Sequence, residues 1–217
     1  MSAILLNVHV VIFSLYQDAL QVLLTPCNDP GFVDCWELPG EPVQENESLE
    51  EAAGRALSGR IDRREVYLEQ LYTYGEPDRY PRSRIISVVY FALIPAGARR
   101  LSRPEHERWY PVNALPHLAF DHAGVIAYAL RRLRYKLEYS AAGFQLLPDE
   151  FSLSELQHTY EIILGELLDK RNFRRRILQA GIIEDTPYLR SGEGRPARLY
   201  RYRLDAVAEV KARRLFP

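Results

Sequence analysis

The chain has 217 residues, of which 47% are hydrophobic and 26% charged, with a formal net charge of -1. That is an ordinary globular composition, long enough for one large domain or two small ones. It excludes a low-complexity or polyelectrolyte chain, and a charge so near zero names no partner until its distribution is known.

Residues 4–15 are rich in Leu, Val, Ile and Phe and predict a strand buried on both faces. The apolar start has no basic leader or small-residue cleavage site and is broken by Asn7 and His9. This argues against a signal peptide or a membrane span and for a cytoplasmic protein. Gln17-Asp18 is a turn, Leu20–Thr25 a second strand completing a hairpin, and Pro26–Asp34 a loop. Cys27 and Cys35 lack the tight spacing of zinc or redox pairs. A disulfide is open to them but unsupported by the pattern, and the reading is two buried or half-buried thiols in a reducing compartment.

Ser48 opens a helix running to about Gly59, with Glu51 three residues on completing a capping box. Leu49, Ala52, Ala53, Ala56 and Leu57 share one face. Strands are expected over Glu65–Tyr74, Arg84–Ile94 and Trp109–Val112. A long helix follows from Ala123 to about Tyr139, with Ile126, Leu130, Leu133 and Leu137 inward.

A boundary falls in Ser140–Glu150, giving domains over 1–142 and 143–217. Ser152 and Glu155 form another capping box, opening a helix with Leu153, Leu156, Tyr160 and Ile163 on one face. Gly165 makes a turn, Asp169 caps a helix from Lys170 to Ala180, and Gly181 ends it. A polar turn and Leu199–Leu204 suggest a β-ribbon. Helix, turn, helix and ribbon describe a winged helix-turn-helix.

Charge separates along the chain. Residues 1–139 carry 15 Lys and Arg against 18 Asp and Glu, whereas residues 169–203 carry 10 against 4, a net of +6. In the second tail helix Phe173 and Ile177 face inward, and Lys170, Arg171, Arg174 and Arg175 project outward. Arginine suits phosphates and guanine edges, and Asn172 suits adenine. The ribbon adds Arg195, Arg198, Arg201 and Arg203, with Gly194-Arg195-Pro196 as a wing tip for a minor groove. The alternative is a solvated basic helix. Double-stranded operator DNA is the expected partner.

The stretch GEPVQENESLEEAAGRALSGR (residues 40–60), preceded by Trp36-Glu37-Leu38-Pro39-Gly40, resembles the signature of a Nudix domain, G-x5-E-x7-R-E-U-x-E-E-x-G-U. Aligned on Glu47, the pattern's first Gly falls on Glu41 and its Arg on Arg55. Its three metal-binding carboxylates fall on Ala56, Gly59 and Arg60, and its late Gly on Asp62. Those carboxylates would sit together on one helix face and hold a divalent cation beside a pyrophosphate. A methyl group, a hydrogen and a guanidinium cannot, so no hydrolysis, metal or cofactor is expected.

Both halves together resemble the Nudix-related transcriptional regulators of the NrtR family. The matching tail segments are residues 151–157, 168–178 and 194–200. The resemblance implies an α/β/α Nudix-like sandwich followed by a winged helix, an α+β protein. It also implies a homodimeric repressor of NAD-metabolism genes that responds to ADP-ribose or a related nucleotide. Sister groups respond to sugars, and a sugar or sugar phosphate is the alternative effector. An active hydrolase with displaced metal ligands is a further alternative.

The candidate ligand residues are Tyr80, Arg82, Arg84, Phe120 and His122. The two arginines could grip a pyrophosphate or form surface ion pairs. Phe120 could stack on a base or belong to the core. His122, near a helix start, could meet an anionic group or close a turn. His9, His106, His117 and His158 show no metal spacing and are read as structural or solvated.

Overall fold

The computed structural model describes residues 4–61, 66–99, 106–139, 141–191 and 196–206. By contact density the chain divides into two compact units: Met1–Ile94 with Ala98–Ala129, and Pro95–Gly97 with Leu130–Pro217.

In the first unit β1 (Ile4–Tyr16) and β2 (Ala19–Pro26) form a hairpin with Tyr16 opposite Ala19. Gln17 and Asp18 between them have φ of 48° and 57°, a two-residue turn whose twist suits a right-twisted hairpin. Then come β3 (Trp36–Glu37), β4 (Gly40–Pro42), α1 (Leu49–Leu57), β5 (Tyr67–Tyr74), β6 (Arg84–Ile94), β7 (Arg108–Pro111) and α2 (His122–Tyr139). The strands form one mixed sheet in the order β3-β2-β1-β6-β5, with β4 pairing β1 and β7 pairing β2.

β1 and β6 lie parallel at its centre, from Ile4 opposite Arg84 to Ser14 opposite Ile94. Val8, Val10 and Ile12 are fully buried, and so are the alternate side chains Val11 and Phe13. The near-continuous apolar runs of these strands reflect that double burial.

α1 lays Ala52, Ala53, Ala56 and Leu57 against Val8, Val10, Ile12, Val88, Tyr90 and Ala92. The alanines let its backbone come close to the sheet, and burying Leu57 contributes about 1.5–3 kcal/mol. The expected capping box is present: the Ser48 hydroxyl accepts the Glu51 N–H, and the Glu51 carboxylate accepts the Ser48 N–H. The helix is shorter than expected. It ends at Leu57, and Gly59 adopts φ 76°, the left-handed conformation that stops a helix.

α2 buries Val125, Ile126 and Ala129 in the first unit and Leu133 and Leu137 in the second. The division of units falls inside this helix. Leu130, expected inward, is half-buried. No helix of the described residues is long and apolar enough to cross a membrane.

The second unit continues with a 3-10 turn (Ala141–Leu146), β8 (Glu150–Ser152), α3 (Leu153–Leu164), α4 (Lys170–Ala180), β9 (Ile183–Arg190) and β10 (Ala197–Tyr202). The small sheet has the order β8-β10-β9. Ser152 caps α3 with Glu155 reciprocating, and Gly165 ends it at φ 79°. Asp169 caps α4 through the Asn172 N–H at 2.7 Å, and Gly181 ends it at φ 65°.

Leu156, Tyr160, Ile163, Phe173 and Ile177 form the core between the two helices. A Cβ at Gly143 would come within 2.8 Å of Leu137 and of the Tyr160 ring, so glycine is required for that close approach. Arg134 donates to the Ile163 carbonyl at 2.8 Å, satisfying an acceptor near the end of α3. The α+β order, a sandwich followed by a winged helix, is the one expected. β8 and β9 are additions to the sequence reading.

Candidate functional site

Three groups of residues carry the chemistry anticipated from sequence. The first is the box around α1. Arg55 places its guanidinium 2.9 Å from Glu41 and 2.5 Å from Glu47, and donates to the Pro42 carbonyl at 2.8 Å. The Arg55 hydrogen bond holds the Glu47 carboxyl below its usual range. Arg55 thus ties the loop ahead of α1 to its last turn.

Arg60 lies beyond the helix. Its Nε is 2.6 Å from Oε1 of Glu107, whose side chain is only 1% exposed, and it also donates to the Ala56 carbonyl. The positions the signature reserves for cation ligands hold Ala56, Gly59 and Arg60, and the last two stand past the end of α1. They do not fit a divalent cation. Among the described residues no group of three or more His, Cys, Asp or Glu side chains is arranged to hold a metal.

The second group joins β1, the loop before β6, and the segment leading into α2. Tyr80 and Phe120 pack with centroids 4.2 Å apart and their rings tilted by 41°, and Phe32 packs on Phe120 at 4.5 Å. Phe120 has φ 55°, uncommon for an aromatic residue and a mark of local strain. The Tyr80 hydroxyl lies 3.4 Å from Nε2 of both His9 and His122.

The Leu38 N–H donates to His122 Nδ1 at 3.1 Å, and this assigns the proton positions. His122 carries its proton on Nε2, facing Tyr80. If the Tyr80 hydroxyl donates onward to His9, the remaining His9 proton sits on Nδ1, which is buried without a partner. β4 passes so close that a Cβ at Gly40 would meet the His9 ring at 2.5 Å.

Beneath these rings Arg79 forks Asp121, with Nε to Oδ2 at 2.6 Å and Nη2 to Oδ1 at 2.9 Å, and donates to the Tyr74 carbonyl. Its side chain is 5% exposed and lies over the rings of Tyr74 and Tyr80. Burial, and then the Arg79 charge, lower the His9 pKa to about 4. Burial, His9 and Arg79 lower that of His122 well below its ordinary value.

The structure therefore brings Tyr80, Phe120 and His122 together but leaves Arg82 and Arg84 outside. Arg82 is exposed and 3.8 Å from Asp29, and Arg84 donates to the Glu76 carbonyl at 3.3 Å. His122 is buried and neutral, so it offers no cation to an anionic group. Arg79, Asp121 and His9 were missed as members of this cluster. Their partners lie 42 to 71 residues away, and no local pattern marks them.

These histidines predict a pH response. The unfolded chain takes up protons near the ordinary imidazole value of 6.5, but folded His9 does so only near 4. Stability is complete above pH 6.5 and falls as pH drops toward 4, by about 1.4 kcal/mol per pH unit for each such histidine. Thermal melts should show the midpoint falling between pH 7.5 and 5.5, above the range where most carboxylates titrate. A flat midpoint there would refute the buried neutral pair.

The third group is α4 and the ribbon. Lys170, Arg171 and Arg175 are exposed, opposite buried Phe173 and Ile177. Arg175 donates to Asn172 Oδ1 at 2.8 Å, and Asn172 is half-buried. Arg174 does not project freely as expected. It is half-buried and reaches Ser154 Oγ on α3 at 3.1 Å.

Arg198 is 2.7 Å from Asp185, and Arg201 bonds Glu184, both across the β9–β10 pair. These pairs are exposed, worth about 0–1 kcal/mol, and readily exchanged for a phosphate. Arg195 lies outside the described residues.

The NUDIX domain family matches residues 5–133, and the NrtR DNA-binding winged helix domain matches residues 143–202. Over 206 residues the chain is 38% identical to the ADPR responsive transcriptional repressor NtrR of Acinetobacter baylyi, covering 92% of this chain and 82% of that protein. It is similar to the crystal structure of Shewanella oneidensis NrtR complexed with a 27mer DNA, with a TM-score of 0.84, 34% identity and 96% of each chain covered. It is also similar to the NUDIX domain of Shewanella oneidensis NrtR complexed with ADP ribose, with a TM-score of 0.51 and 32% identity over 61% of this chain and 90% of that one.

Proposed function

Because the chain belongs to the NrtR family, in which a Nudix domain is joined to a DNA-binding winged helix, we propose that it is a transcriptional repressor released from operator DNA by ADP-ribose. The observation that carries this reading is α4, whose buried Phe173 and Ile177 leave Lys170, Arg171 and Arg175 exposed, with Asn172 half-buried among them. That is the construction of a recognition helix, entering a major groove with its N-terminal residues leading. Arg198 would take a backbone phosphate. Arg174 serves mainly to brace α4 on α3.

The Nudix unit senses rather than hydrolyses, because Arg60 replaces a cation ligand and is committed to Glu107. The half-buried rings of Tyr80 and Phe120 would stack on a base. Exposed Arg82 and half-buried Arg84 would take the pyrophosphate. The chain acts as a homodimer on two half-sites about one DNA turn, ~34 Å, apart. ADP-ribose favours one arrangement of that dimer, and a coupling of about 1–3 kcal/mol suffices to switch occupancy.

The test is fluorescence anisotropy on DNA from upstream of the gene's own neighbourhood, against a scrambled duplex, with ADP-ribose titrated and recovered. Specific binding that ADP-ribose reverses, with the ADP-ribose intact, is expected. Binding indifferent to ADP-ribose would redirect the effector to sugars or sugar phosphates.

Arg175→Ala should weaken operator binding about tenfold, a single base contact being worth about 1–3 kcal/mol. It should leave ADP-ribose affinity unchanged, and the wild-type complex should weaken steeply with salt. Undiminished operator affinity in this variant would displace α4 from the groove.

A further inference from the structure

We propose that Cys27 and Cys35 form a reversible disulfide that closes the loop carrying Phe32 and weakens binding of ADP-ribose. The second half rests on the effector reading above. The β2–β3 register pairs Thr25 with Glu37 and Pro26 with Trp36. One step further sets Cys27 opposite Cys35, and the Cys27 N–H donates to the Cys35 carbonyl at 2.8 Å. The Cys35 N–H donates instead to the Phe32 carbonyl at 3.3 Å, so the two residues keep one bond of a hydrogen-bonded antiparallel pair, whose Cα atoms stand about 5.5 Å apart, inside the roughly 4.4–6.8 Å that a disulfide spans.

Both thiols are free and half-buried. They share a side of the ladder. The Cys27 thiol bonds the Glu37 carboxylate, and Glu37 stands two residues from Cys35, hence on the same face.

The surroundings divide the chemistry between the two sulfurs. Burial, with a contribution from Glu37, pushes the Cys27 thiol up to about 11, so Cys35 attacks first. Its thiolate attacks hydrogen peroxide and breaks the O–O bond, leaving a sulfenic acid and a hydroxide that takes up the proton the thiol released, as water. Cys27 then attacks that sulfur, its proton passing to Glu37, whose own pKa burial raises. The S–S bond forms as the sulfenic hydroxyl leaves, taking the proton back from Glu37 as the second water. Two thiols and one peroxide give one disulfide and two waters, and a small dithiol reverses the step.

The enclosed loop is the one that touches the candidate effector site. Phe32 packs on Phe120 at 4.5 Å, and Asp29 faces Arg82 at 3.8 Å. Cross-linking holds Phe32 over Phe120, where a stacking base has to enter. In a reducing cytosol such a bond is transient and suited to sensing.

The test treats the full chain with hydrogen peroxide and follows free thiols, peptide maps and ADP-ribose affinity. Two thiols per chain should disappear at a rate independent of protein concentration and return with dithiothreitol. ADP-ribose should bind about tenfold more weakly to the oxidised chain, and Cys27→Ser should abolish that response. Glu37→Gln should let a dimedone-trapped sulfenic acid accumulate at Cys35 while the disulfide forms slowly.

Thiols that persist in excess peroxide, over-oxidised Cys35 beside free Cys27, or cross-linked dimers would overturn the disulfide. A disulfide without change in affinity would overturn its regulatory half. If the reduced chain fails to bind ADP-ribose, the effector reading and that half fall together, and the thiol count alone decides the disulfide.

Discussion

Replacing Arg79 with alanine is expected to cost about 3 kcal/mol or more of stability and to weaken ADP-ribose binding at least tenfold. The guanidinium is almost wholly buried and makes two bonds to Asp121 and one to the Tyr74 carbonyl. Breaking a buried pair from one side is costly because the other charge stays behind, typically about 3–5 kcal/mol. Asp121 is about one-third exposed, so water recovers part of that and the lower end applies.

The binding loss has a separate origin. Asp121 lies between Phe120, in its left-handed conformation, and His122. Without the fork Phe120 loses the ion pair that anchors its neighbouring residue and keeps only ring contacts with Phe32, Tyr80 and His122. Arg79 also helps keep both histidines neutral, so its removal should raise their folded pKa values and shrink the pH-dependent loss of stability, whose onset near 6.5 is set by the unfolded chain. Arg79→Lys, which keeps the charge but not the fork, should fall between. Denaturant titration and calorimetry with ADP-ribose check both effects, and a variant with wild-type affinity would separate this cluster from the effector site.

What could be read from the sequence was what local chemistry writes. The capping boxes at Ser48 and Ser152, the Asp169 cap and the terminal glycines 165 and 181 each act within a few residues. The two capping boxes have the partners expected, Asp169 caps α4, Gly181 ends it, and Gly165, read as a turn, is the C-cap of α3. β3 and β4 are two and three residues long, too short for any periodicity. β9, IEDTPYLR, is an edge strand with six exposed or charged positions and Pro187 within it, so its alternation was hidden.

The missed part of the candidate site is a matter of distance along the chain. Tyr80, Phe120 and His122 stood out as residue types beside element boundaries. Arg79 and Asp121, which organise them, are 42 positions apart. Charge counting found the basic tail but not its internal pairing. Arg198 and Arg201 face Asp185 and Glu184 only because two strands come into register. Arg60 was legible as a missing carboxylate, but its partner Glu107 was not, since 47 residues separate them.

That pairing decides what happens if the lost carboxylates are written back. Arg60→Glu should destabilise the chain by about 3–5 kcal/mol, since it removes the cation facing a 1%-exposed Glu107 and sets a like charge there. Gly59→Glu adds a further cost of about 1–2 kcal/mol, because φ at that position is 76° and a Cβ disfavours the left-handed region. The geometry also fails. The spacing that should align three carboxylates needs a helix through all of them, yet α1 stops at Leu57.

The triple variant Ala56→Glu, Gly59→Glu, Arg60→Glu should therefore release no phosphate from ADP-ribose with magnesium, even where it folds. Exchanging charges, Arg60→Glu with Glu107→Arg, should recover much of the stability lost by the single change, which separates the ion pair from the box as the cause. Magnesium-dependent turnover by a triple variant of wild-type stability would show that only the carboxylates were wanting. The expected outcome is that the end of α1 has been rebuilt around an internal ion pair, which substitution of the ligands alone does not undo.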